Sequence, residues 1–87
     1  MADVIMMMFE GCPYCRQARN WMKELVEENP EYAGVRIEMH DEKKEPAFAD
    51  SLDYYYVPTY YVNGVKVHEG AATKEKIRAV YEKALGR

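Results

Sequence analysis

A chain of 87 residues is long enough for one small domain and too short for two cores that would each fold alone. With 48% apolar and 13% aromatic residues the composition is globular, and no run approaches the roughly 18 apolar residues a membrane span needs. The 12 Lys and Arg against 15 Asp and Glu give a net charge of -3, without the concentrated basic face that phosphate binding requires.

Val4 to Phe9 is a continuous apolar run of strand length, which predicts a central strand covered on both faces. Met6, Met7 and Met8 belong to it; alternating across the strand, they do not converge on one metal ion. The segment from Met1 to Phe9 has neither a basic n-region nor a small-residue cleavage site, so the expectation is a soluble, cytoplasmic protein. From Pro13 the period becomes helical. Cys15, Ala18, Met22, Leu25 and Val26 share one face, and Arg16, Arg19, Lys23, Glu24 and Glu27 share the other. Pro13 suits the first helical position, and Pro30 ends the helix because the residue before a proline disfavours helical angles. Trp21 is assigned to packing near this helix.

Val35 to Met39 alternates as a second strand with one wetter face, and Glu45 to Leu52 is expected to form a short helix packed through Phe48, Ala49 and Leu52. Lys43 and Lys44, flanked by Asp41, Glu42 and Glu45, read as a solvated mixed-charge surface. Pro58 to Val62, then Asn63-Gly64, then Val65 to His68 is the pattern of a tight hairpin. Thr73 caps a last helix carrying Ile77, Val80, Tyr81, Ala84 and Leu85 at helical spacing. The predicted fold is a single α/β domain over residues 1–87, ordered β-α-β-α-β-β-α. A right-handed crossover makes the first two strands parallel, giving a four-stranded mixed sheet with helices on both faces.

Cys12 and Cys15 are the only cysteines, three apart, where the first strand gives way to the first helix. In a reducing compartment such a pair is catalytic or metal-binding rather than a structural staple. Cys12 falls at the N-cap, where free N–H groups and the positive helix end favour a thiolate by roughly 0.3–1 kcal/mol, or up to ~2 when partly buried. Two side chains are expected to tune it further: Glu10 opposes the thiolate if its carboxylate turns inward, and Arg16, one turn on, offsets Glu10. Cys12 is therefore the candidate nucleophile. Cys15, on the buried helix face, is the candidate resolving thiol that attacks a mixed disulfide held at Cys12.

The competing use of the pair is as ligands in a metal or iron–sulfur binding module, shared with a partner or a second copy. A four-ligand zinc site would need both His40 and His68 to reach one helix start, so no metal ligands are assigned. His40 is expected in a loop beside Asp41, and His68 on the surface at a strand end. A redox-inert adaptor of the same fold is a third possibility.

The motif Cys12-Pro13-Tyr14-Cys15, followed by Arg16-Gln17-Ala18 and later by Val57-Pro58 opening a strand toward Asn63-Gly64, resembles the glutaredoxin branch of the thioredoxin superfamily over essentially the whole chain. The resemblance implies a thioredoxin-like fold of glutaredoxin type and thiol-disulfide oxidoreductase activity in cell redox homeostasis. It also implies a cis bond at Pro58, lying against the cysteines, with the Val57 backbone pairing to a bound thiol substrate. Tyr14 and Thr73 complete the implied substrate-binding set, Thr73 at the helix start that holds glutathione in the family.

Phe9-Glu10-Gly11 stands where glutaredoxins carry a basic residue, and Gly70-Ala71-Ala72-Thr73-Lys74 stands in place of a Gly-Gly turn followed by acids. Without the acid that pairs with the glutathione ammonium, affinity for glutathione as electron donor is expected to fall by about ten- to a hundredfold. Val57-Pro58-Thr59 is equally typical of thioredoxins, so the reductant is either glutathione or a thioredoxin-reductase-type enzyme. The expected substrates are protein or small-molecule disulfides. No bound cofactor, nucleic acid or membrane partner is expected, and the chain is expected to be a monomer. Tyr54-Tyr55-Tyr56 has two readings, an aromatic platform for an extended peptide or a core edge with one ring left on the surface.

Overall fold

A computed structural model describes residues 3–87. Its elements are β1 (Val4–Met8), α1 (Pro13–Glu28), a 3-10 turn (Pro30–Gly34), β2 (Ile37–Asp41), α2 (Pro46–Asp50), β3 (Thr59–Val62), β4 (Val65–Glu69) and α3 (Lys74–Ala84). The sheet has 4 strands in the order β2-β1-β3-β4, with β1 parallel to β2 and antiparallel to β3. β1 is thus central, as its unbroken apolar run requires.

Val4, Met6 and Met8 of β1 pack with Tyr60 and Val62 of β3 into the main core, which α1 closes with Cys15, Ala18 and Leu25 and α3 closes with Ile77, Val80 and Tyr81. Tyr32, from the 3-10 turn, stacks on Tyr81 with ring centroids 4.8 Å apart. Its hydroxyl donates to Glu82 Oε2 at 2.5 Å, which satisfies the polar end of an otherwise apolar ring. The alternate residues of the sheet face the other way. There Phe48 of α2 tilts against His40, which pairs with fully buried Met7. Helices therefore cover both faces, with α1 and α3 on one and α2 on the other.

Several boundaries differ from the sequence expectations, each for a local reason. β1 ends at Met8 rather than Phe9, because the Phe9 carbonyl accepts from the Cys12 N–H at 3.3 Å and turns the chain toward α1. β2 begins two residues late: the 3-10 turn holds Val35 N–H to the Tyr32 carbonyl at 3.0 Å, keeping Val35 out of the sheet. His40 consequently lies in a strand, not a loop, where its ring nitrogens meet Glu38 at 3.3 Å and Glu45 at 3.0 Å. His68 is half-buried in β4 rather than a surface residue, its Nε2 lying 2.7 Å from the Gly70 carbonyl oxygen. α2 stops at Asp50, where the Ser51 N–H and hydroxyl both donate to the Phe48 carbonyl. The Asn63-Gly64 turn has positive φ at both positions, 51° and 81°, as a two-residue hairpin requires.

Candidate active site

Cys12 is the N-cap of α1, in extended conformation with φ -74° and ψ 115°, and Pro13 follows at the first helical position. Gly11, with φ +90°, makes the reversal between β1 and the helix that an L side chain would resist. Cys12 Sγ accepts the Cys15 N–H at 3.2 Å, so one of the helix's otherwise free donors points at the sulfur that must carry negative charge when it attacks. Cys12 retains 4% exposure and Cys15 none. Both are free thiols.

Burial, and then the hydrogen bond to Cys12, push the Cys15 thiol up from 9.0 to about 12; the Phe9 backbone N–H and the Arg19 cation act more weakly in the other direction. At neutral pH Cys15 is protonated. That is the state expected of a thiol that waits while its neighbour reacts.

The segment before the pair is fastened to the end of β2. Asp41 accepts the Glu10 N–H at 3.0 Å through one carboxylate oxygen and the Lys43 N–H at 2.8 Å through the other. These backbone donors, Glu10 first, hold the Asp41 carboxyl below its usual range. The Glu42 N–H donates to the Met8 carbonyl at 2.8 Å, and the Lys43 ammonium lies 4.2 Å over the Phe9 ring.

Glu10, expected to tune Cys12, instead turns its carboxylate to Lys44 at 3.1 Å on the exposed surface. Arg16 is exposed as well, and the cation that acts, weakly, on Cys15 is Arg19. The helical period puts Arg19 only on the polar helix face. Its position one turn beyond Cys15 was the available signal.

The Val57–Pro58 bond is cis. Met7 pairs with Thr59, so Pro58 stands level with the end of β1 that leads into Cys12. Pro58 is buried, and its carbonyl accepts the Gly70 N–H at 2.9 Å. Val57 packs partly against the core cluster that contains both cysteines. Tyr14, between the cysteines, is 59% exposed, while Tyr55 and Tyr56 are 86% and 70% exposed. Tyr54 alone of the three tyrosines turns in, half-buried, its hydroxyl donating to Glu42 Oε1 at 2.8 Å.

Thr73 caps α3, its Oγ1 accepting the Lys76 N–H at 3.2 Å. Lys74 reaches back to α1, meeting Glu24 at 3.1 Å and Glu28 at 2.6 Å. The structure thus brings Cys12, Cys15, Val57 and Pro58 to one end of the sheet and turns Glu10 away from it. An open groove of about 360 Å3 between α2 and Tyr54–Tyr55 takes none of its walls from the cysteines. Among the described residues no cluster of three or more His, Cys, Asp or Glu has metal-binding geometry.

A dithiol at a helix start, level with a cis-proline on a four-stranded mixed sheet, defines a protein of the thioredoxin-fold class. The sequence matches the thioredoxin-domain family model over residues 3–82, and the chain belongs to that family. Its fold is similar to that of oxidised thioredoxin from Plasmodium falciparum, with a TM-score of 0.72 at 18% identity, covering 94% of this chain and 79% of that one. It is also similar to Chlamydomonas reinhardtii thioredoxin f2, with a TM-score of 0.59 at 19% identity over 94% and 77%. Glutaredoxin 1 from Francisella tularensis, complexed with cacodylate, matches over 100% of both chains with a TM-score of 0.57 at 16% identity. At these identities the likeness concerns the fold. No curated protein matches the sequence.

Proposed function

We propose that the protein is a thiol-disulfide oxidoreductase that reduces disulfides of proteins or small molecules through Cys12 and Cys15. The observation that carries this reading is the pair's asymmetry: Cys12 is N-capping, keeps some exposure and receives an N–H, while Cys15 is sealed and protonated. The Cys12 thiolate attacks one sulfur of the substrate disulfide, forming a mixed disulfide and releasing the other sulfur as a thiolate that takes up a proton. Cys15 then gives up its proton and attacks the Cys12 sulfur. The second substrate thiol leaves, and the two electrons have passed to the substrate at the cost of a Cys12–Cys15 disulfide. An external dithiol system restores the reduced pair.

Val57 and Pro58 supply the wall beside the nucleophile, and Tyr14 the exposed flank. For the reductant, the start of α3 supports a reductase-type donor over glutathione. It offers Thr73 as a cap, with Thr73 and Lys74 standing where the resemblance implies acids; the first-turn acid, Glu75, pairs with Arg78 at 3.2 Å, and the Lys74 ammonium is drawn back to Glu24 and Glu28. The deciding experiment incubates the oxidised protein separately with glutathione and with thioredoxin reductase plus NADPH. Fast reduction by the reductase and slow reduction by glutathione is the expected pair of results. Rapid reduction by glutathione alone would reassign the donor, and failure of the Cys12→Ser variant to lose disulfide reduction would refute the catalytic assignment.

A further inference from the structure

Tyr55 and Tyr56 put two large rings into water immediately before Val57–Pro58, yet their backbone is held on several sides. Both N–H groups donate to a single oxygen of Glu69, Tyr55 at 2.5 Å and Tyr56 at 3.1 Å. The other oxygen of Glu69 accepts from the Lys66 ammonium at 2.8 Å. Lys66 also donates to the Asp53 carbonyl at 3.0 Å, which accepts from the Tyr61 hydroxyl at 3.0 Å as well. Thr59 Oγ1 donates to the Tyr56 carbonyl.

The clamp depends on an irregularity in β4. In a regular strand residues three apart point to opposite faces, so Lys66 and Glu69 would not meet. Here the register shifts between Tyr60 and Tyr61: Thr59 faces Glu69 and Tyr60 faces His68, but Tyr61 faces Lys66. The extra residue, Val67, is a β-bulge that restores both charged side chains to the face of Tyr61 and Thr59, beneath the tyrosine loop.

We infer that Glu69, braced by Lys66, is a positioning residue that fixes the Tyr55–Tyr56 backbone so that the two exposed rings present a preset face to polypeptide disulfides. This rests on the oxidoreductase reading above. A loop whose only task was packing would bury its rings. This one secures its main chain and leaves the rings free, as an aromatic recognition surface requires at low ordering cost on binding. The Glu69 side chain is largely covered by these partners, so it acts through the loop and not on the substrate. A small disulfide that reaches only Cys12 does not use the rings.

The test compares full-length wild type with Glu69→Ala and Glu69→Gln, using insulin as the polypeptide disulfide and bis(2-hydroxyethyl) disulfide as the small one. Glu69→Ala should raise KM for insulin about tenfold with little change in kcat, and leave turnover of the small disulfide within about twofold. Glu69→Gln keeps an acceptor for both N–H groups and should recover most of the loss. Equal effects on both substrates, or a loss confined to kcat, would show a merely structural role and overturn the proposal. Amide hydrogen exchange gives a readout independent of activity: Tyr55 and Tyr56 should exchange faster in Glu69→Ala than in wild type, and unchanged exchange would also overturn it. Wild type inactive on both disulfides, with the exchange difference present, would instead place the failure in the oxidoreductase reading.

Discussion

Cys15 keeps its proton through the neutral range because burial and the neighbouring Cys12 sulfur both disfavour its thiolate. Its folded value, about 12, lies above the ordinary 9.0, so the folded reduced state binds more protons than the unfolded chain between those two pH values. The stabilisation is complete below pH 9.0 and is lost as pH rises toward about 12. Under reducing conditions, the urea midpoint of wild type should therefore fall more steeply from pH 9.0 toward about 12 than that of Cys15→Ser; parallel curves would contradict the shift. Asp41 is the second residue on which the site depends, since it alone accepts the Glu10 N–H ahead of Gly11 and Cys12. Asp41→Ala should lower kcat/KM toward any disulfide about three- to tenfold, whereas Glu10→Gln, which touches only the surface pair with Lys44, should change it less than twofold. Steady-state rates of the two variants check this. The placement of the cysteine pair, Cys12 at the helix start and Cys15 on the buried helix face, was legible in the sequence because spacing and a helix start fix it. The role of Asp41 was not, since it acts across a fold contact that local pattern does not encode.

At the scale of elements, the order of strands and helices followed from period and punctuation: unbroken apolar β1, Pro13, Pro30, and Asn63-Gly64 each marked a boundary of the right kind. The late start of β2 came from Tyr32, whose burial against Tyr81 draws Pro30–Gly34 into a 3-10 turn that no periodicity announces. The bulge at Val67 was equally hidden, because two residues opposing one leave no mark on a short alternating strand. α3 has one cap, Thr73, and truncating it to Ala should cost about 1 kcal/mol of unfolding free energy by urea titration. Its neighbour Lys74 joins α3 to α1 through partly exposed ion pairs, so Lys74→Ala should cost less than Thr73→Ala. The reverse ranking would mean that the helix-to-helix pairs, not the cap, secure the start of α3. At the β4 edge, Lys66 and the Tyr55 and Tyr56 N–H groups lower the Glu69 carboxyl from 4.5 to about 2. That contribution is present above pH 4.5 and lost as pH falls toward 2, so loop protection measured by amide exchange should decline over that interval in wild type but not in Glu69→Gln.

Across the whole molecule, the two central strands do two jobs. On one face they bury the core that seats Cys15 against α1 and α3; at one end they set the start of α1 level with Pro58. Composition and element order pointed to this architecture, and the motif pointed to the family. Neither revealed that the α2 face carries the tyrosine loop and its clamp, because that follows from three-dimensional parity across β3 and β4. Every step of the proposed exchange rests on Cys12 as the attacking sulfur and Cys15 as the resolving one. The most direct test of that assignment incubates the Cys15→Ser variant with a disulfide substrate and locates the adduct by peptide mass spectrometry. A stable mixed disulfide at Cys12 is the predicted result, and an unmodified Cys12 after exposure to a substrate that the wild type reduces would contradict the account.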